Sequence, residues 1–255
     1  MKSLGIPVRQ STQVYILYLS CSLERYFDLV RLKSVQMRFL WYISSTCQLT
    51  TFEQQTAAIR YELGNQHTYD FVEGVVPWES SIQHVTETNE ATFAFCDPQQ
   101  PQSCRQAACD LERYIKEEGP FDGVIGFSLG ATMALSLLMD WDRTKQGVRS
   151  HVSPFKVAVF FSNASQPYDL DALASDQIAY LNSAQIGRVL DIPTAHIWGS
   201  ADPQAADARG AVEFCDPEKR SVFVHAKGHE IPDSVENTVS IAKVINRAVS
   251  QVEGK

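Results

Sequence analysis

The five residues Gly126-Phe127-Ser128-Leu129-Gly130 fit the pattern G-x-S-x-G, in which a serine hydroxyl can act as a nucleophile. An apolar stretch, VIGF, leads into the serine, and a small-residue helical stretch, LGATMALSLL, follows it. A tight turn from strand to helix leaves little room beside the serine, so the flanking positions need glycine. The helix N-terminus then points its N–H groups at any oxygen bound there. The alternative is that Ser128 is an ordinary helix N-cap between packing glycines.

A serine hydroxyl is a weak nucleophile unless a histidine removes its proton, and a carboxylate must orient that histidine. Of the six histidines, His229 is the best candidate, because it follows Gly228 in a turn after the last predicted strand and before the last predicted helix. We expect His225 to point elsewhere from its strand end and His196 to pack within a core strand. The remaining histidines precede the expected region or lie in polar loops: His67, His84 and His151.

The carboxylate should stand between the serine and the histidine in the chain, as it does in hydrolases with this turn. Asp202 is the best candidate, because it follows a predicted strand at the carboxyl edge of the sheet, where sites form in such folds. Asp191 precedes the same strand and therefore lies at its opposite end, and Asp207 falls inside the following predicted helix. Asp169 and Asp171 stay open as alternatives. Asp202 itself could be only a turn residue before a proline.

The two histidines at positions 225 and 229 also have the i, i+4 spacing that binds zinc when it occurs on a helix. The predicted strand before them and Gly228 between them argue against a helix, and no third ligand is evident. We therefore predict no metal site. Hydrolysis by an activated serine needs no organic cofactor either, and we predict none.

The elements that must position these groups alternate between strand and helix along the chain. Several of the strands are continuously apolar, which is typical of a parallel sheet covered by helices on both faces. The sequence therefore predicts an α/β fold with a mostly parallel central sheet. Residues 76–101 are predicted as a long loop, and residues 162–191 carry only scattered helical signals. The predicted strands are 37–43, 69–72, 121–127, 155–161, 194–198 and 221–225, and the predicted helices are 52–63, 103–118, 129–141, 205–214 and about 233–252.

Composition excludes several classes of partner. The net charge is −8, and the absence of a basic block argues against nucleic acid. The apolar stretch at residues 14–19 is too short to cross a membrane and lacks a clear cleavage site, so we expect neither a membrane span nor a signal peptide. Six cysteines without a C-x-x-C pair indicate reduced thiols, and hence a cytoplasmic protein.

From about Met37 to its end, the chain resembles the fungal family of serine hydrolases within the α/β-hydrolase superfamily. That family includes the ovarian-cancer-gene-2-like hydrolases and the thioesterases and esterases of fungal polyketide gene clusters. The resemblance implies one α/β-hydrolase domain over residues 37–255, preceded by an N-terminal extension of uncertain structure, residues 1–36, in which residues 22–33 could form an amphipathic helix. The segments that carry it are MRFL, FEQQTAAIRYEL, YDFVEG, PTAHIWGSADP, HAKGHEIP and the highly specific EEGPFDGVIGFSLGA.

Carried over by position, the resemblance makes Ser128 the nucleophile, Asp202 the acid and His229 the base of an esterase or thioesterase. It implies a small-molecule acyl substrate, a polyketide or fatty-acyl chain of fungal secondary metabolism, free or presented on an acyl carrier protein of a polyketide synthase. Trp78, Phe93 and Phe95 are candidates to line the acyl pocket. Plain core packing is the alternative for these three aromatic residues.

The chain departs from the family in the loop after the first strand. Such enzymes normally carry a histidine–glycine loop there, roughly LHG-x-G, whereas residues 41–51 of this chain are WYISSTCQLTT. We expect the oxyanion hole to use the N–H of Leu129 and a second N–H near Ser44, and losing one donor costs about 100- to 1,000-fold in rate. The altered loop favours one alternative, a catalytically impaired homologue that only binds a ligand or a partner. A simple acyltransferase is a separate alternative.

Overall fold

Eight strands are present in the computed structural model, which describes residues 36–42, 49–78, 92–144, 153–186 and 190–253. Six of them form one parallel sheet, and the other two pair antiparallel in a short ribbon. They are β1 (Arg38–Tyr42), β2 (Thr68–Val72), β3 (Val76–Trp78), β4 (Thr92–Ala94), β5 (Gly123–Phe127), β6 (Val157–Phe161), β7 (Thr194–Gly199) and β8 (Arg220–His225).

The order of strands in the main sheet is β2-β1-β5-β6-β7-β8, with every neighbouring pair parallel. In this sheet β2 lies on one side of β1, and β5 to β8 lie on the other side. The order therefore reverses between β1 and β5, and ligands of such sheets bind outside the carboxyl ends of the strands at that point. Ser128 follows β5 directly.

Helices cover both faces of this sheet, as predicted from the alternating pattern. One face packs against α1 and α7, and the other packs against α2 and α3. No helix in the described ranges combines the length and apolar character that crossing a membrane requires. The helices are α1 (Leu49–Leu63), α2 (Pro101–Glu118), α3 (Leu129–Thr144), α4 (Leu170–Ala174), α5 (Ser183–Ile186), α6 (Ala205–Val212) and α7 (Val235–Glu253).

The apolar runs in the sequence form strands because both of their faces are buried. All five residues of β5 are buried, with Ile125 and Phe127 in the cluster formed with α1 and α7, and Val124 in the cluster formed with α2 and α3. Strands buried on two faces lose the alternation of polar and apolar residues that marks a half-exposed sheet. The predicted α/β fold with its mostly parallel sheet is therefore confirmed.

Two regions differ from the sequence prediction. The stretch predicted as a loop at residues 76–101 contains β3, β4 and the start of α2, and residues 79–91 lie outside the described residues. The region 162–191 contains the short helices α4 and α5, which are too short to show a helical period in the sequence. The division between residues 36 and 37 stays a prediction, because residues 1–35 also lie outside the described part.

The buried histidine of β7 makes the stability of the fold depend on pH. Burial lowers the pKa of His196 from 6.5 to about 3, and the nearby charge of Arg220 acts in the same direction. Between these two values the unfolded chain binds a proton that the native state does not, so stability rises with pH. For one such histidine, the rise from pH 5 to pH 7 is about 2 kcal/mol.

We therefore expect His196→Leu to flatten the pH dependence of stability. Urea denaturation of the variant at pH 5, 6 and 7 should show a free energy of unfolding that changes by about 2 kcal/mol less than in the wild type. Carboxylates contribute little over this range, because their unperturbed pKa values lie below it. An unchanged slope would show that His196 binds a proton equally in both states.

Candidate active site

Ser128 occupies the sharp turn between β5 and α3. Its φ angle is 56°, a left-handed conformation that is strained for a residue with a side chain. Its N–H donates to the carbonyl of Phe161 at 2.9 Å, and its carbonyl accepts the N–H of Thr132 at 3.1 Å, which begins the helix. The strain is therefore held in place by neighbouring backbone, and it presents the serine at the carboxyl edge of the sheet.

The glycines on either side of Ser128 stand where no side chain would fit. A Cβ at Gly126 would lie 2.5 Å from the Cα of Ala131, and a Cβ at Gly130 would lie 2.3 Å from the carbonyl oxygen of Tyr42. Both obstacles are backbone atoms, which cannot rotate away. The G-x-S-x-G pattern is thus explained by close packing of the turn against β1 and its own helix.

His229 lies between Ser128 and Asp202 and contacts both. Its Nε2 is 2.8 Å from the Oγ of Ser128, and its Nδ1 is 2.8 Å from Oδ2 of Asp202. The imidazole ring also packs beside Phe127, with 5.2 Å between ring centroids. The side chain of His229 is 18% exposed, so a substrate can reach it. Three residues far apart in the chain therefore form one hydrogen-bonded line.

The carboxylate of Asp202 is fully buried and has partners on both oxygens. Oδ2 faces His229, and Oδ1 accepts the backbone N–H of Gln204 at 2.8 Å. A carboxylate that accepts an N–H two residues later forms an Asx turn, which fixes its direction. A fixed carboxylate holds the proton on Nδ1 of the imidazole and leaves Nε2 free to accept a proton from the serine.

The loops that carry Asp202 and His229 are joined by backbone hydrogen bonds. The N–H of Ser200 donates to the carbonyl of His225 at 2.7 Å, and the N–H of Ala201 donates to the carbonyl of Lys227 at 3.1 Å. The turn from residue 225 to residue 229 consequently packs directly on the end of β7. The distance between the acid and the base is set by this backbone contact.

Gly199 makes that contact possible, and we expect Gly199→Ala to lower the rate strongly. The new Cβ would lie 2.0 Å from the carbonyl oxygen of Lys227 and 2.3 Å from that of Gly228. The turn that carries His229 must then move away, and a displacement of about 1 Å can cost about 100-fold in kcat. The measurement is kcat, together with thermal unfolding to show that the variant is folded.

Gly228→Ala is the matched control for this substitution. A Cβ at Gly228 would meet nothing within 4 Å among the residues that the structure describes, although this glycine directly precedes His229. It should therefore keep most of the wild-type rate. Equal losses in both variants would mean that the packing of the turn on β7 does not position the base.

The other predicted site residues are only partly described. Leu129 begins α3, so its N–H is one of the first-turn groups without a partner inside the helix. Ser44, the predicted second oxyanion donor, lies outside the described residues, and so does the side chain of Trp78. Phe93 is half-buried in β4, and Phe95 is buried and stacks on Tyr42. The oxyanion hole and the acyl pocket therefore stay predictions.

Phe95 lines a cavity of about 360 Å³ between the ends of β1 and β2 and helix α2. Its lining, as far as the chain is described, does not include Ser128. The cavity nevertheless begins at the same edge of the sheet as the serine, since Tyr42 stands beside Gly126 in the strand register. Its lining combines apolar and aromatic side chains with charged ones: Tyr42, Val72, Val75, Phe95, Ala107, Leu111 and Tyr114 with Glu73, Asp110, Arg113 and Glu117.

The alternative acids lie elsewhere in the structure. Asp191 is exposed before β7 and pairs with Lys219, and Asp207 lies within α6. Asp169 caps α4 by accepting the N–H of Asp171. Among the described residues no group of three histidine, cysteine or acidic side chains is arranged to hold a metal ion.

Sequence reasoning missed the residues that hold the acid loop against the serine. The side chain of Gln204 donates to the carbonyl of Ala164 at 3.0 Å, and the N–H of Ala164 lies 3.4 Å from the carbonyl of Ser128. Ser162, at the start of this turn, has a φ of 45°, another strained conformation at the edge of the site. The sequence Asp202-Pro203-Gln204 could have revealed the Asx turn, but nothing in it indicates the contact with Ala164.

Comparison with known proteins places the chain beside serine hydrolases. Residues 34–241 match the protein family described as "Serine hydrolase (FSH1)". Esterase FPY3 of Fusarium mangiferae is 34% identical over 226 residues, covering 84% of this chain and 99% of that protein. Hydrolase phiM of a fungal species is 29% identical over 187 residues, covering 72% of this chain and 79% of its own.

Solved structures with the same fold include two esterases. Esterase PE8 aligns with a TM-score of 0.56 at 13% identity, covering 84% of this chain and 94% of its own. A carboxylesterase from Mesorhizobium loti aligns with a TM-score of 0.53 at 15% identity, covering 83% of this chain and 88% of its own. At such low identity these likenesses establish the fold alone.

Proposed function

We propose that Ser128, His229 and Asp202 are the catalytic residues of this chain, which belongs to the FSH1 family of serine hydrolases and is a hydrolase acting on esters. We also propose that its substrate is an acyl ester or thioester. The observation that carries this proposal is the hydrogen-bonded line from Ser128 Oγ through both nitrogens of His229 to the buried carboxylate of Asp202. The order of the three in the chain is that of other hydrolases with this serine turn.

In the proposed mechanism, His229 Nε2 takes the proton of Ser128 as its oxygen attacks the acyl carbonyl carbon. The imidazolium that forms is stabilised by Asp202, which stays ionised. His229 then returns the proton to the departing alcohol or thiol, and an acyl-enzyme ester remains on Ser128. A water molecule, deprotonated by the same imidazole, cleaves that ester and releases the carboxylic acid.

The negative oxygen of the tetrahedral intermediate needs two N–H donors. The N–H of Leu129 is the donor supported by its position at the start of α3, where the positive end of the helix dipole also acts. The second donor is proposed in the segment after β1, near Ser44. A backbone N–H is present there whatever the side chain, so the loss of the family's histidine and glycine leaves the chemistry of the donor intact.

The proposed substrate is a polyketide or fatty-acyl chain, free or carried on an acyl carrier protein. This part of the proposal comes from the resemblance to esterases and thioesterases of fungal gene clusters. The cavity beside Phe95 and Tyr42 supports it, because 360 Å³ of largely apolar space is of the size that small ligands occupy.

A hydrolysis panel tests the substrate class. Acyl esters and the matching acyl thioesters of graded chain length are compared with the purified protein, with the acyl-carrier form of the best acyl group added last. We expect kcat/KM to rise with chain length as apolar surface is buried. Equal rates for acetyl and longer acyl groups would contradict the assignment of a long acyl substrate. An added alcohol or amine that accepts the acyl group faster than water would favour the acyltransferase alternative.

A fluorophosphonate probe separates the enzyme from the alternative of a ligand-binding homologue. The probe esterifies a serine only when a histidine can remove its proton, so labelling reports an active serine. Rapid labelling of the folded protein supports the proposed hydrolase. Folded protein that stays unlabelled would favour the binding protein, since the altered loop would then have disabled the site.

A further inference from the structure

A second histidine of the turn HAKGH is fixed beside the candidate base. His225 ends β8 and is only 3% exposed. Its Nδ1 accepts the backbone N–H of Lys227 at 3.3 Å, a bond that closes the first half of the turn. The mechanism above gives this side chain no role, although it stands four residues before His229.

The hydrogen bond from Lys227 defines the tautomer of His225. A nitrogen that accepts a hydrogen bond carries no proton, so the ring proton of the neutral imidazole sits on Nε2. Burial lowers the pKa of His225 below its ordinary value, against the opposing effect of the Glu230 and Asp202 carboxylates, so the ring is neutral at pH 7. Its Nε2 is buried without a hydrogen-bond partner among the described residues.

An unpartnered buried donor is unfavourable, so a hydrophobic side chain would stabilise this strand end better. The imidazole supplies a hydrogen-bond acceptor at Nδ1, which a hydrophobic side chain lacks. That acceptor acts on Lys227, whose own carbonyl receives the N–H of Ala201, one residue before Asp202. The bond from His225 therefore lies at the junction of the loops that carry the acid and the base.

We propose that His225 is a positioning residue for His229. By accepting the Lys227 N–H, its Nδ1 fixes the backbone conformation of the turn and thereby the distance from Nε2 of His229 to Oγ of Ser128. The inference rests on the proposed function, because it assigns His225 a role through the base. It also makes a separate structural claim, that the amide of Lys227 depends on the side chain at position 225.

Two kinds of substitution separate the loss of the hydrogen-bond acceptor at position 225 from a change in the volume of its side chain. His225→Leu and His225→Phe fill the space and remove the acceptor, and Phe keeps the flat ring. His225→Asn keeps an acceptor, because its Oδ1 can take the place of Nδ1. His196→Leu is the matched control, since it removes another buried histidine, on the adjacent strand β7, whose Nε2 lies 3.2 Å from Oγ1 of Thr194 on its own strand.

The experiment measures kcat and KM on the best ester of the panel and hydrogen exchange at the amide of Lys227. For His225→Leu and His225→Phe we expect kcat to fall by about 10- to 100-fold at unchanged KM, with faster exchange of that amide. His225→Asn should restore most of kcat and the protection of the amide. His196→Leu should keep the wild-type kcat.

Wild-type kcat in the two hydrophobic variants would overturn the proposal, and so would a His225→Asn variant as impaired as they are. A wild type that hydrolyses no ester would instead count against the proposed function. In that case the exchange measurement still decides the structural claim, because unchanged protection of Lys227 in a folded His225→Leu or His225→Phe variant would remove it.

Discussion

Ser128→Ala is expected to lower kcat by about 10⁴- to 10⁶-fold, the loss seen when the nucleophile of such a site is removed. The alanine keeps the backbone turn but has no oxygen to form the acyl-enzyme. KM should change little, since the substrate still has its binding surface. The measurement is steady-state kinetics on the best ester of the panel, with circular dichroism to show that the variant is folded.

Ser136→Ala is the control, because it removes a hydroxyl from α3, the helix that follows Ser128, without touching the site. Ser136 Oγ donates to the carbonyl of Thr132 and accepts the N–H of Tyr168. Its loss leaves a buried N–H without its acceptor, which costs about 1–3 kcal/mol of stability. We expect a less stable protein with near-normal kcat. A Ser128→Ala variant as active as the wild type would remove the nucleophile assignment.

Asp202→Asn is expected to lower kcat by about 10⁴-fold with little change in the fold. The asparagine amide can donate to Nδ1 of His229, and the imidazole proton then moves to Nε2, which can no longer accept from Ser128. The developing imidazolium also loses its negative partner. The measurement is kcat at pH 7, accompanied by the rate of labelling with a fluorophosphonate, which should fall in parallel.

Asp191→Asn is the matched control for the acid, because it changes an aspartate at the other end of the same strand. Asp191 is exposed and pairs with Lys219 at the surface. Surface pairs of this kind contribute about 0–1 kcal/mol, so kcat should be unaffected. If Asp202→Asn were as active as Asp191→Asn, another carboxylate would have to orient His229.

The parts of the site that the sequence predicts are those governed by local geometry. The strand VIGF and the glycines beside Ser128 indicate the tight turn, because such a turn leaves no room for a side chain at either flanking position. Asp202 and His229 follow from topology, since each comes after a parallel strand and the carboxyl ends of parallel strands meet at one edge. The structure brings the three side chains together where this argument predicts.

The parts that could not be predicted depend on contacts between loops. The bond from Gln204 to Ala164 and the packing of Gly199 against the turn at Lys227 join segments with no shared period or motif. The role we infer for His225 could not be predicted for the same reason. Nothing in the sequence indicates that Nδ1 of this buried histidine at the end of a strand accepts the N–H of Lys227. Loop contacts of this kind are set by tertiary packing.

The most direct test is peptide mapping by mass spectrometry after the protein has reacted with a fluorophosphonate. We expect one adduct per chain, on the peptide that contains Ser128. We also expect no adduct in Ser128→Ala and slow formation in Asp202→Asn. An adduct on a different residue, or equally fast labelling of Ser128 without the carboxylate at position 202, would contradict the claim that these three side chains work as one catalytic unit.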